Sequence, residues 1–262
     1  MFITRVLAGT LLALAVALIA RRAHALSTSG ALAAWLTGTL ASGAGWEWAI
    51  LLIGYFVTSA ALSRAGARVK AARTGGIVEK GGARDAWQVT ANGGVFAAMA
   101  GTALGWPEMA GSLFELGAAA LAASAADTWS TELGTWLGGT PRSITTLAPV
   151  RPGTSGGITL WGSAGAVLGA GVVTGGAILL GAPGPAWLSL MVAGVAGSLA
   201  DSLLGASVQA RRHCPTCDRA TERRVHDCGV VTIPAGGFSW LTNDGVNAAA
   251  TVVGPLVLLL MR

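Results

Sequence analysis

Apolar stretches close to the roughly twenty residues needed to cross a bilayer recur along the whole chain, parted by short segments rich in Arg, Gly and Pro. The pattern predicts eight helices, near 2–20, 28–45, 46–63, 87–106, 109–126, 158–181, 186–206 and 244–261. The second is short and rich in Gly and Thr, which leaves seven spans and a re-entrant piece as the alternative. The fold class is therefore all-α: a polytopic integral membrane bundle of seven or eight spans forming a single domain over 1–262, with a polar Cys/His loop inserted at 207–240.

Composition agrees. Hydrophobic residues make up 53% of the 262, charged residues 11%, and the mean hydropathy is +0.62; soluble domains carry about 25% charged residues. A pI near 9.9 would suggest nucleic acid in a soluble protein, but the distribution of the cations argues for topology instead. With both termini outside, fifteen of the 17 Lys and Arg residues fall on the four cytoplasmic loops, and only Arg5 and Arg262 lie elsewhere. The outer turns hold Glu47 and Glu108, as the positive-inside rule expects. Arg21 and Arg22 directly behind the first apolar stretch suit an anchored helix better than a cleaved signal. The partner that composition implies is the lipid bilayer, with no nucleic acid; oligomeric state is not legible. Trp35, Trp46 and Trp48 read as interface anchors.

The polar residues that remain are concentrated at the inner ends of the helices. S-x-A-D-[ST] occurs twice, ending in Asp127-Thr128 and Asp201-Ser202, each time at the inner end of an outward-to-inward span. A short match at the same depth and direction suggests an internal duplication. Intramembrane carboxylates are costly and are functional candidates by default. Gly197 and Gly205 flank Asp201 at i−4 and i+4, leaving gaps where another group can approach. Glu132, five residues past Asp127, lies about 140° around an ideal helix from it, so the two could share a metal only if the helix ended between them or water bridged the gap. Asn243, Asp244 and Asn247 open the last span. In the loop before the fourth span, Arg73, Lys80 and Arg84 accompany Gly75-Gly76 and Gly81-Gly82, a combination able to wrap an anion, with Asn92 a turn or two farther on. Arg142 and the P-G-T-S-G-G of Pro152–Gly157, including Thr154, Gly156 and Gly157, precede the sixth span, where backbone N–H groups at a helix start could receive phosphate.

Together these residues point to hard-cation and phosphate chemistry. Asp127, Asp201 and Asp244 would hold Mg2+, which takes one or two carboxylates plus substrate phosphates. Arg73, Gly75, Gly76, Lys80, Arg84, Asn92, Arg142, Thr154, Gly156, Gly157, Asn243 and Asn247 would receive phosphate or nucleotide. Separately, Cys214, Cys217, His226 and Cys228 have the makings of a structural Cys3His zinc site, with His213 as a substitute ligand.

The segments SAADTWSTELG, TPRSITTLAPVRPGTSGGITLWGSAGA, ADSLLGASVQ through CPTC with its H-x-C, and WLTNDGVN resemble the membrane family that includes chloroplast phytyl-phosphate kinase and transmembrane protein 19. The likeness runs from about Arg73 to Gly254. It implies a phosphotransferase that converts a phytyl or polyprenyl monophosphate to its diphosphate with CTP or ATP. The family's motif positions fall on Asp127, Glu132, Arg142, Gly156, Gly157, Asp201, Asn243 and Asp244, with Asp127, Asp201, Asp244 and Glu132 the catalytic candidates. A transporter or flippase of a phosphorylated lipid, and a lipid cytidylyltransferase, are the alternatives.

Overall fold

A computed structural model describes residues 2–77 and 82–262. Helices α1 (Phe2–Arg22), α2 (Thr28–Ala44), α3 (Trp46–Arg64), the short α4 (Ala67–Thr74), α5 (Ala86–Gly105), α6 (Ala110–Leu137), α7 (Leu160–Leu179), α8 (Ala186–Ser207) and α9 (Asn243–Leu260) make up the bundle. Eight long helices among the described residues thus fall where eight apolar stretches do. Among the described residues, α1, α3, α6, α7, α8 and α9 are long and apolar enough to cross a membrane. α2, at 17 residues, and α5, diluted by Gln88, Asn92 and several glycines, fall short of that measure.

α6 is the axis. It touches α3, α4, α5, α7, α8 and α9, and from Gly117 to Ala126 every residue is buried. Its sequence there is nearly all Ala and Gly, and small side chains let helix backbones approach closely in lipid, where apolar burial itself offers little drive for helices to associate. Gly165 and Gly169 of α7 make the point. A Cβ on either would lie 2.5 Å from a carbonyl oxygen of α6, that of Trp129 or Ala125. The expected end of this helix near 126 is wrong. It runs eleven residues farther, to Leu137, because Trp129 through Leu137 still pack against α4 and α7.

At one end of the bundle α1, α3, α4 and α6 finish together with the start of α5. The Arg64 guanidinium donates to Ala23 O at 2.6 Å and Arg73 Nη1 to Thr135 O and Trp136 O at 2.9 and 2.8 Å, cations meeting the carbonyl-rich ends of helices. Arg5, which donates to Gly43 O, and Arg262, which pairs with Glu115, lie at the opposite end. Of the three tryptophans expected at the interface, Trp48 belongs to the core instead. It is 1% exposed, and its ring centroid lies 5.2 Å from those of Phe96 and Phe114.

Two small β elements sit at the basic end. β1 (Arg142–Ser143) pairs antiparallel with β2 (Gly157–Ile158), drawing the ends of the 144–156 segment together. β3 (Arg211–Cys214) lies between β4 (Arg219–Thr221) and β5 (Ile233–Gly236) in the insert.

Candidate functional site

The two S-x-A-D-[ST] segments, far apart in sequence, meet. Asp127 of α6 and Asp201 of α8 line one cavity, with carboxyl groups near enough to act on each other, and among the described residues Oδ2 of Asp201 is buried without a hydrogen-bond partner. α8 comes this close because Gly197, one turn before Asp201, has no side chain; a Cβ there would lie 2.3 Å from that of Ala123 on α6 and 3.0 Å from Ala250 O on α9. Two unit charges about 4 Å apart repel by about 4 kcal/mol at an effective dielectric constant of 20. Such a pair calls for a shared proton or a cation between its members. An orphaned carboxylate oxygen beside a second carboxylate is a donor set of the kind that Mg2+ takes up, with substrate phosphates completing its shell.

A cavity of about 350 Å3 opens at this pair. The hydroxyl residues that follow each aspartate, Thr128 and Ser202, line it, as do Asn243 and Asn247 on one face of α9, Asn92 and Gln88 of α5, and the Thr154–Gly157 backbone. Arg73 and Arg84 border it. The glycine-rich turn lies against α8 so tightly that a Cβ on Gly156, whose φ is +75°, would fall 2.6 Å from Ser202 O.

Several predicted residues are placed differently. Lys80 lies outside the described residues. α6 does not end between Asp127 and Glu132; Glu132 also lines the cavity, but its carboxylate is already engaged there, accepting from Ser63 Oγ at 2.6 Å and pairing with Lys70. Arg142 does not line the cavity, since its guanidinium donates to Leu147 O at 2.9 Å. Gly75 and Gly76 do not line it either: the Gly76 carbonyl receives Thr221 Oγ1 at 2.7 Å, which makes this segment a dock for the insert. Asp244, beside Asn243 in the first turn of α9, is not a lining residue. The glycine-rich turn is not a helix start. β2 intervenes, the Gly157 N–H is bonded to Thr154 O, and Thr159 caps α7 by accepting from Gly162 N.

A second, largely apolar cavity runs between α1, α2, α3 and α5, past Leu12, Val16, Leu52, Ile53, Phe56 and Val89. It shares Arg84, Gln88 and Asn92 with the polar cavity. These three are held in place. Asp85 and Gln88 form a reciprocal cap at the start of α5, a motif that satisfies two donors at once. Asn92 accepts from Ser124 Oγ at 2.8 Å, and Ser124 bonds Tyr55 Oη at 2.7 Å.

The chain matches, over residues 11–255, the family described as integral membrane protein DUF92. It belongs to that family. It is 33% identical over 247 residues to Protein PGR of Arabidopsis thaliana, covering 85% of this chain and 84% of that one. It is 29% identical over 257 residues to the uncharacterized membrane protein MJ0933 of Methanocaldococcus jannaschii, covering 97% and 92%. Protein VTE6, chloroplastic, also of Arabidopsis thaliana, is 30% identical over 244 residues, 90% of this chain and 65% of the relative. No solved structure matches. The family assignment agrees with the resemblance carried by the motifs, and the protein is an integral membrane protein with several spans.

Sequence reasoning missed part of the site. Thr128 and Ser202 were written into the repeated motif as its last position, a signal that was available. Glu222, Gln209 and Ser155 were not visible: Ser155 Oγ donates to Glu222, and Gln209 Nε2 donates to both at 2.9 Å, joining the insert to the glycine-rich turn at the cavity wall. In sequence Glu222 is one acid within a basic loop, and nothing local separates it from a solvated charge.

Proposed function

We propose that this chain is an isoprenyl-phosphate kinase, transferring the γ-phosphoryl group of CTP or ATP to a phytyl or polyprenyl monophosphate. One observation carries the reading: a half-buried carboxylate pair, one of whose oxygens is buried and unpartnered among the described residues, opens into a cavity lined by amides, hydroxyls and arginines, and that cavity shares a wall with an apolar one between membrane helices. The resemblance to the family of chloroplast phytyl-phosphate kinase supports the same chemistry.

In this reading an oxygen of the lipid monophosphate attacks the γ-phosphorus. The new P–O bond forms as the bond from that phosphorus to the β–γ bridging oxygen breaks, giving the lipid diphosphate and a nucleoside diphosphate. The attacking phosphate has a second pKa near 6 and is already largely ionised, so no strong base is needed, and no histidine lines the cavity. Positioning and charge neutralisation carry most phosphoryl-transfer catalysis. Mg2+ bound at Asp127 and Asp201 would supply charge neutralisation on the donor's phosphate oxygens. Arg84 holds the acceptor phosphate where the two cavities join. Arg73, Asn243 and Asn247 orient the donor, with the Thr154–Gly157 backbone as the opposite wall. The isoprenyl chain occupies the apolar cavity, and the basic end of the bundle faces the cytoplasm, where nucleotide is available.

The test is transfer from γ-labelled CTP and ATP to phytyl, geranylgeranyl and longer polyprenyl monophosphates by the purified protein, read by mass spectrometry. Labelled lipid diphosphate is the expected product. Absence of transfer with every pairing would sink the reading, and a product carrying cytidine would replace it with a cytidylyltransferase.

A further inference from the structure

The insert between α8 and α9 has almost no apolar core of its own. From Val208 to Thr242 the buried residues are Gln209, Cys214, Thr221, His226 and Thr232, and β5 is exposed throughout. A segment of this size without a core needs a staple. What lies at its centre is a cluster of Cys214, Cys217, His226 and Cys228, whose candidate ligand atoms all fall within 4.8 Å of one another.

Local structure accounts for the convergence. β3 and β4 form a hairpin with Cys214 opposite Arg219, and Asp218, at φ +53°, closes the turn that returns Cys217 beside Cys214. Backbone N–H groups of Thr216 and Cys217 lie close enough to the Cys214 sulfur to act on it, support of the kind that metal-bound thiolates receive. The loop after β4 then folds back through His226 N–H to Val230 O, presenting His226 and Cys228 to the pair. Cys214 Sγ lies 3.6 Å from Cys228 Sγ, and His226 Nδ1 lies 3.2 Å from the same sulfur. Metal–sulfur bonds of about 2.3 Å and a metal–nitrogen bond of about 2.0 Å set tetrahedral edges of about 3.8 and 3.5 Å. A disulfide needs about 2.05 Å, and all three cysteines are free. His213 is excluded as a ligand, because strand alternation turns it away from Cys214 and its Nε2 sits 3.2 Å from Asp218.

We propose that Cys214, Cys217, His226 and Cys228 hold one structural Zn2+ that fixes the insert as a rim of the polar cavity. Three cysteines and an imidazole whose ligand atoms all lie within 4.8 Å of one another are the donor set of a closed zinc site. Its effect reaches the cavity through the end of β4. Thr221 Oγ1 bonds Gly76 O, Glu222 N donates to Ile77 O at 2.8 Å, and the Glu222 carboxylate takes the Ser155 hydroxyl of the glycine-rich turn. The inference is independent of which reaction the cavity performs.

Metal analysis of the full chain, purified in detergent under reducing conditions, should give one zinc per chain. Cys217→Ser and His226→Ala should bring that to near zero, while His213→Ala keeps it. Because a ligand variant can fail to fold, the wild-type protein carries a second arm: Co2+ exchanged into it should give the visible bands of a tetrahedral, thiolate-rich ion. Chelation of the zinc should speed amide exchange at 76–77 and 154–157. Wild-type protein that contains no zinc and takes up neither Zn2+ nor Co2+ overturns the proposal, as does stoichiometric iron in its place or full zinc retention in Cys217→Ser.

Discussion

α1 and α6 are both long, apolar helices, yet 11% of the spanning window of α1 is buried within the protein against 67% for that of α6. α1 presents Leu7, Leu11 and Ile19 outward, each more than 60% exposed, whereas the middle of α6 is Ala, Gly and Ser enclosed by neighbouring helices. Both are apolar enough to span, and the more apolar of the two is the less buried, so side-chain size and not hydropathy decides which one the protein encloses. Large aliphatic residues face lipid at no cost, and small ones let backbones close to within van der Waals contact. The carboxylate pair lies where the buried stretch of α6 ends. The apolar cavity adjoins it at Arg84, Gln88 and Asn92 and runs on between α1, α2, α3 and α5.

The sharpest break of this contrast is at the pair itself. Asp127→Asn or Asp201→Asn should lower phosphoryl transfer by about 10³-fold or more, as loss of a metal ligand at developing charge does. Expression and monodispersity should be unchanged, and the metal-free melting temperature unchanged or raised, because like charges no longer meet. Retained activity in both variants would remove them from the mechanism.

Next in size is packing. Gly197→Leu inserts bulk where even a Cβ would meet Ala123 at 2.3 Å, and overpacking costs about 1–3 kcal/mol, occasionally more; a marked fall in melting temperature is expected. Gly175→Ala on α7, where a Cβ meets nothing within 4 Å, should leave it unchanged or raise it slightly. Equal behaviour of the two would refute the small-residue account.

Glu132→Gln should cost about 1–3 kcal/mol, since it leaves Lys70 and its partly buried surroundings without their carboxylate. Activity per folded molecule should stay within a few-fold of wild type; a loss like that at Asp127 would return Glu132 to the catalytic set. On the lipid side, Gly93 of α5 lines the apolar cavity with open space before its Cβ position. Gly93→Leu should raise KM about 10-fold for phytyl monophosphate, a change worth about 1.4 kcal/mol, with kcat and the KM for a short-chain monophosphate unaltered. The smallest effect is expected at Arg142→Ala, which removes an exposed bond to a carbonyl and should change stability by less than about 0.5 kcal/mol and kcat/KM hardly at all.

Much of this molecule was legible in one dimension. Length and apolarity of runs located the long helices among the described residues, six of them long and apolar enough to span, because lipid forces each spanning segment to satisfy its own backbone hydrogen bonds. The repeated S-x-A-D-[ST] motif named the two aspartates, since an ionisable group is too costly in such helices to be incidental. Asn243 and Asn247 were placed on one face by helical period alone, and both line the cavity.

Which polar groups face one another was not legible. Glu132 and Arg142 carry charges as plausible as those of Asp127 and Arg84, yet Glu132, at the cavity, is paired with Lys70, and the Arg142 guanidinium is turned to Leu147 O. Glu222 reaches the cavity wall across a sequence separation of 67 residues from Ser155, and the apolar cavity arises from four helices that carry no shared motif. Helix formation in lipid is dictated locally, by each segment's own backbone and apolar surface. The site depends on how those helices rotate and approach, and that is settled by steric fit between glycines and alanines distributed along the whole chain.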